Sequence, residues 1–212
     1  MKKKKLSHSS CKHHNIITNK KDSIFLIDDY NQIIFSPTEV KNFRITYPII
    51  KKINLLNDHH IERRTIIQSN NVKDIYLFVN PKPILLQINS NEKIKITDVL
   101  PLMDTILLSE IPIFTMIDGV CRDGIVLPFL VGKKRYMYEH SHLYITKTFY
   151  EQSSGATIED KMVNLYAFRN RITNIFKKYT KLPDEIYKIL FKREIFFNAE
   201  ECLKYGIIDK II

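Results

Sequence analysis

Chemistry in this chain could sit in three places. The first is Val120-Cys121-Arg122-Asp123, which lies between an apolar run from Ile111 to Ile117 and another from Ile125 to Val131. A buried strand that turns sharply into a buried helix is where many hydrolases hold a nucleophile, with backbone N–H groups free to receive an oxyanion. This turn has no serine. It has Cys121, whose pKa the positive charge of Arg122 would lower. No histidine falls at the position of a base, so Cys121 reads as a packed small hydrophobe. The second place is Glu139-His140-Ser141-His142. Two histidines two apart share one face of a strand and can ligate a metal, but no third ligand lies near in sequence, and the stretch reads as a solvated turn. The third is Asp58-His59-His60, the D-H-H pattern of some phosphoesterases, here in a polar stretch without the other carboxylates that chemistry needs. No metal and no cofactor are expected.

The elements that must position these residues alternate along the chain. Ser23 to Ile27 and Gln32 to Phe35 are β-like runs. Ser36-Pro37-Thr38-Glu39 reads as a helix start, the helix continuing through Leu55 with a kink at Pro48. Asn57 to Asn71 reads as an insertion or exposed loop. Ile75 to Val79 and Ile84 to Ile88 are strands on either side of Pro81-Lys82-Pro83. Thr97 opens a helix with Val99, Met103, Ile106 and Leu107 on its apolar face and Pro101 in its first turn. The sharp turn itself is placed at Gly119 to Gly124. Tyr136 to Tyr138 and Leu143 to Ile145 make two more strands. A long helix then carries Ile158, Met162, Leu165, Phe168, Ile172, Ile175 and Tyr179 as one continuous stripe; so long a helix in so small a chain is expected to protrude and meet a partner. Pro183 starts a shorter helix, Asn198-Ala-Glu-Glu201 is a capping box, Gly206 ends that helix, and Ile207-Ile208 forms a last strand. The class is α/β.

At 212 residues the chain can bury one substantial core. The net charge of +10 is concentrated at the start, where residues 1–21 hold seven lysines and no acid, so the rest is nearly balanced. This leader, residues 1–22, reads as a targeting remnant or a tail. It argues against a nucleic-acid-binding domain; the reading that keeps one, a basic RNA-associated domain, requires steeply salt-dependent binding. No apolar stretch approaches the ~20 residues of a membrane span. The three cysteines, at 11, 121 and 202, are an odd count with no close pair, and are expected as reduced thiols.

Residues 23–212 form one domain with a handle region at about 148–182 and an insertion at about 57–81. From about Ile33 onward the chain resembles the proteolytic-subunit family of the Clp (caseinolytic) protease, within the crotonase-like superfamily. Thr180-Lys-Leu-Pro183, Arg193-Glu-Ile-Phe-Phe-Asn-Ala-Glu-Glu201 and Lys204-Tyr-Gly-Ile-Ile-Asp209 are similar to that family's ending, TG-x-P…RD-x-F-x-S-A-x-E-A-x-x-Y-G-x-x-D. Met103-Asp104-Thr105-Ile106 is similar to its Y-D-T-M, Ile88-Asn89-Ser90 to its I-N-S, and Gly132-Lys-Lys-Arg135 to its G-x-K-x-K-R. The resemblance implies a ClpP/crotonase-like ββα superhelix with a protruding handle helix (Ile158, Met162, Leu165, Phe168, Ile172, Ile175). It also implies a heptameric ring, co-assembly with active ClpP subunits, and a Clp AAA+ ATPase chaperone docked at Leu85, Met116, Tyr136 and Tyr138, with Gln87 and Asp118 weakening the dock.

The departures carry the functional reading. Counting from Gly119 puts Asp123 at the family's serine. Thr146 stands at its histidine and Leu190 at its aspartate. The S-P-G-G loop that makes its oxyanion hole reads Ser90-Asn91-Glu92-Lys93. A carboxylate cannot become an alkoxide nucleophile, a threonine shuttles no proton at neutral pH, and a leucine orients no imidazole. The pattern resembles the non-proteolytic, R-type paralogue (ClpR), and with the leader and the Lys/Ile/Asn-rich composition the apicoplast form, so a plastid location is implied. The alternative is a crotonase-like or thiol hydrolase with a site rebuilt from Cys121, His140 and His142. Arg122 and Asp123 are expected to pair with neighbours across subunits.

Overall fold

The structure is a computed structural model that describes residues 31–35, 46–69, 81–147 and 158–212. The leader, the strands expected at Ser23–Ile27 and Ile75–Val79, the helix start at Ser36 and the first part of the handle region lie outside the described residues.

Among the described residues a seven-stranded sheet forms the centre. Strands β1 (Asn31–Phe35), β2 (Ile84–Ser90), β3 (Ile113–Arg122), β4 (Lys134–Met137) and β7 (Lys210–Ile211) run side by side and parallel. β5 (His142–Ile145) pairs in parallel with the far end of β3, and β6 (Ile195–Phe197) pairs antiparallel with β5. Parallel strands joined by helical crossovers are buried by those helices, so β2 opens on an apolar run, and Ile84, Leu85, Leu86 and Ile88 are fully buried.

Gly119 is where β3 changes partners. Residues Phe114 to Ile117 pair with β4, and Val120 to Arg122 pair with β5. The strand therefore does not stop at the first glycine, as expected from sequence, but kinks there and continues to Arg122. Gly119 has φ +104, a region closed to most side chains, and its N–H is taken by Ser141 Oγ at 2.8 Å. The chain turns only at Asp123, which has φ +55. One 3₁₀ turn (Asp123–Ile125) then leads into α3 (Val126–Leu130), whose residues are all buried.

Helix α1 (Tyr47–Ser69) corrects two expectations. Pro48 falls in its first turn, where the missing N–H has no partner to lose, so it causes no kink there. Asn57 to Ser69 is helix rather than loop. The long polar side chains there are adequate helix formers without an apolar face. Asn57 anchors the helix, its Oδ1 accepting from Ser109 Oγ and Ile111 N, both at 3.1 Å. In α2 (Ile96–Leu108) Pro101 lies in the second turn, not the first, on the exposed side.

Helix α4 (Ile158–Tyr179) is single and long, as expected, but its stripe is not buried throughout. Ile172 is buried with Phe176, Phe168 and Ile175 pack against the core, and Met162 is about half exposed. α5 (Asp184–Ile189) follows Pro183. α6 (Ala199–Lys204) opens on a full capping box: Glu201 N donates to Asn198 Oδ1 at 2.8 Å, and Asn198 N to Glu201 Oε2 at 3.1 Å. Ile207 and Ile208 are core residues before the last strand rather than the strand itself, which is Lys210–Ile211.

Candidate active-site cleft

The turn after β3 is a strand-to-helix elbow, and Asp123 stands on it in the left-handed region. Asp tolerates this conformation better than most residues because its short polar side chain can bond locally. Its Oδ1 accepts the N–H of Thr146 at 2.8 Å. Thr146, the residue after β5, is buried. Two of the positions singled out from sequence, 123 and 146, are therefore brought into direct contact.

Leu190 has no polar side-chain atom to add to this pair. It caps α5 and is buried in the apolar core. The antiparallel register pairs Leu143 with Phe197, Tyr144 with Phe196 and Ile145 with Ile195. The ladder ends there, with Glu194 immediately before β6. Glu194 is thus an exposed acidic residue beside the end of β5. Glu194 Oε2 accepts from Tyr144 Oη at 2.8 Å, a bond that raises the Tyr144 phenol above its usual pKa.

The loop after β2 closes the other side. Asn91, Glu92 and Lys93 are exposed, and Ile94 N donates to Glu92 O at 3.0 Å. In a nucleophile elbow, the N–H of the residue after the nucleophile is one donor of the oxyanion hole. Here that residue is Gly124, and its N–H donates to Ile94 O at 3.2 Å. Loop and elbow approach so closely that a Cβ on Gly124 would meet the same oxygen at 2.6 Å.

Arg122 crosses the cleft. Its Nη1 donates to Asn91 O at 3.3 Å and to Asn91 Oδ1 at 3.4 Å. Its Nε lies 3.4 Å from Asp123 Oδ2, and its guanidinium carbon sits 5.1 Å from the centre of the Tyr144 ring. Arg122 and Asp123 thus approach each other within one chain. Sequence reasoning missed the parts played by Arg122, Glu194 and the Gly124 N–H, since each depends on which strands become neighbours.

The residues of the alternative hydrolase do not converge. Partners in a ladder share a face and successive residues alternate. Cys121 pairs with Leu143, and His142 pairs with Val120, so His142 lies on the other face of the sheet from Cys121. The His142 ring packs on Phe196, with centroids 4.9 Å apart, and His140 is exposed in the turn before β5. Burial, with smaller contributions from Cys202 and Asp123, pushes the Cys121 thiol well above its usual pKa, which is the reverse of activation. Cys202, also buried, is pushed up to about 12. Asp58, His59 and His60 lie on α1, where His59 Nδ1 is 3.6 Å from exposed Glu62. Among the described residues no group of three His, Cys, Asp or Glu side chains could hold a metal ion, and no helix is long and apolar enough to cross a membrane.

A second, smaller apolar cluster holds the residues singled out as a dock. Leu85, Met116 and Tyr136 form its buried floor, with Phe114, Tyr138 and Ile212 packed against them. Gln87 Nε2 donates to Asp118 Oδ2 at 2.9 Å.

The chain's relatives agree with this architecture. The Clp protease family model matches residues 49–212. A proteolytic subunit of the ATP-dependent Clp protease from Deinococcus radiodurans is 29% identical over 120 residues, 53% of this chain. The match spans 57% of that relative's length. Among solved structures, a peptidase from Plasmodium falciparum superposes with a TM-score of 0.59 at 20% identity, over 86% of this chain and 93% of that one. A ClpP1 variant from Listeria monocytogenes superposes with a TM-score of 0.61 at 17% identity, over 86% and 88%. These two likenesses are of fold. With the family model matching well over half of its length, and with this sheet and elbow, the chain belongs to the Clp protease family.

Proposed function

We propose that this chain is a catalytically inactive ClpP-like subunit of the R-type. It assembles into a seven-membered ring, together with active ClpP subunits, and serves structurally in an ATP-dependent Clp complex under a Clp ATPase. The observation that carries this reading is the Asp123–Thr146 bond of 2.8 Å. At the elbow, where an acyl-transfer enzyme needs a hydroxyl or thiol and a base within reach, a carboxylate is instead engaged by a backbone N–H. The Gly124 N–H is engaged as well, by Ile94 O, so one of the two donors that stabilise an oxyanion is already occupied. Glu194 alone supplies neither a nucleophile nor a proton relay. The basic leader supports import into a plastid-type organelle, and the small apolar cluster around Met116 supports a docking role.

The test is peptidase assay and native mass spectrometry of the purified chain, alone and mixed with an active ClpP subunit from the same organism. A ring that leaves fluorogenic peptides intact, and that enters mixed rings, is expected. Cleavage that disappears in Asp123→Ala would overturn the reading.

A further inference from the structure

We propose that Arg122 is an internal occupant of the cleft, holding the place that an extended peptide would otherwise take. This rests on the reading of the cleft as a vestigial peptidase site. It adds a closure separate from the loss of catalytic groups.

The argument starts from what a peptide needs there. An extended chain lying between the 91–94 loop and β5 would bond the loop's backbone carbonyls with its own N–H groups, as any added strand does. The Asn91 carbonyl already receives Arg122 Nη1 at 3.3 Å. A planar guanidinium offers several fixed donors and also stacks on aromatic rings. Arg122 uses both properties, since the same group lies over Tyr144 at 5.1 Å. Tyr144 is tied in turn to Glu194, so one side chain links the loop after β2, the elbow, β5 and the start of β6. The Arg122 side chain is only 26% exposed and that of Asp123 11%. Arg122 Nε and Asp123 Oδ2 are shut off from solvent with no hydrogen bond to either. Their approach is an ion pair across a short gap, kept in place by the other attachments of Arg122.

If Arg122 is the occupant, shortening or neutralising it opens the cleft without rebuilding any catalysis. The probe is a fluorescein-labelled ten-residue peptide of alternating leucine and serine, followed by fluorescence anisotropy against the whole chain in its native assembly. Arg122→Ala and Arg122→Gln are both tested, the second keeping most of the stem in case the first fails to fold. Both variants should bind the peptide about tenfold more tightly than the unaltered chain. Amide exchange of residues 91–94 should rise about tenfold in the free variants and fall again with peptide bound. Unchanged affinity in the folded variants, or tighter binding without protection of residues 91–94, would overturn the proposal. Cleavage of the peptide by the unaltered chain would instead sink the reading of an inactive subunit, so the two failures are distinguishable.

Discussion

Asp123 shows how one side chain can be both a departure from an active site and a structural part. Its backbone is held at φ +55, and its carboxylate takes a buried N–H. Asp123→Ala would lose a charged acceptor and leave an ordinary side chain in the left-handed region, a loss of about 2 kcal/mol. Asp123→Asn keeps an acceptor and a tolerated conformation, so it should fall well short of that loss. Urea denaturation of both variants checks this, and a neutral Asp123→Ala would remove the structural role. The position of Asp123 was legible because a strand and an elbow have nearly fixed intervals, and one glycine suffices to count from. The bond between Tyr144 and Glu194 was not, because it depends on β5 and β6 becoming neighbours.

Elements are held in register by a few polar clamps as well as by the core. Arg135 on β4 is the densest of these. Its Nη2 donates to Asp209 Oδ1 at 2.9 Å, its Nη1 to Tyr179 O at 2.7 Å, and its own N to Asp209 Oδ2 at 2.8 Å. One residue thereby joins β4, the lead into β7 and the end of α4. Arg135→Ala should destabilise the fold by about 2–3 kcal/mol. A double-mutant cycle with Asp209→Ala should return much of that as coupling; additive losses would show that the clamp is incidental. Helix identity was legible for α4 and α6, where apolar spacing and a capping box speak locally. It was not for the second half of α1, where a polar run reads equally as solvated loop or solvated helix. Contacts such as Asn57 with Ile111 decide between the two.

At the scale of the whole molecule, exposed apolar surface among the described residues is distributed unevenly. The second half of α4 is buried through Ile172 and Phe176, while Met162, Val163 and Tyr166 in its first half are 49%, 67% and 52% exposed. Such a run of exposed apolar side chains is the mark of an interface. In the proposed assembly this part of the helix meets another subunit. Met162→Glu with Tyr166→Glu should therefore reduce the oligomer seen by native mass spectrometry and leave the circular dichroism of the chain unchanged. Full assembly of that double variant would place the interface elsewhere.

What the amino-acid order determined on its own was local and short-ranged: several of the strands and helices, and which residue types stand at the elbow. Those follow from periodicity, capping and the chemistry of single side chains. Only the tertiary structure decided that β3 changes partners at Gly119, that Glu194 bonds Tyr144, that Cys121 and His142 lie on opposite faces, and that Arg122 bridges the cleft. Each is a matter of which distant strands become neighbours and in what register, and a shift of one residue in a ladder turns every side chain to the other face.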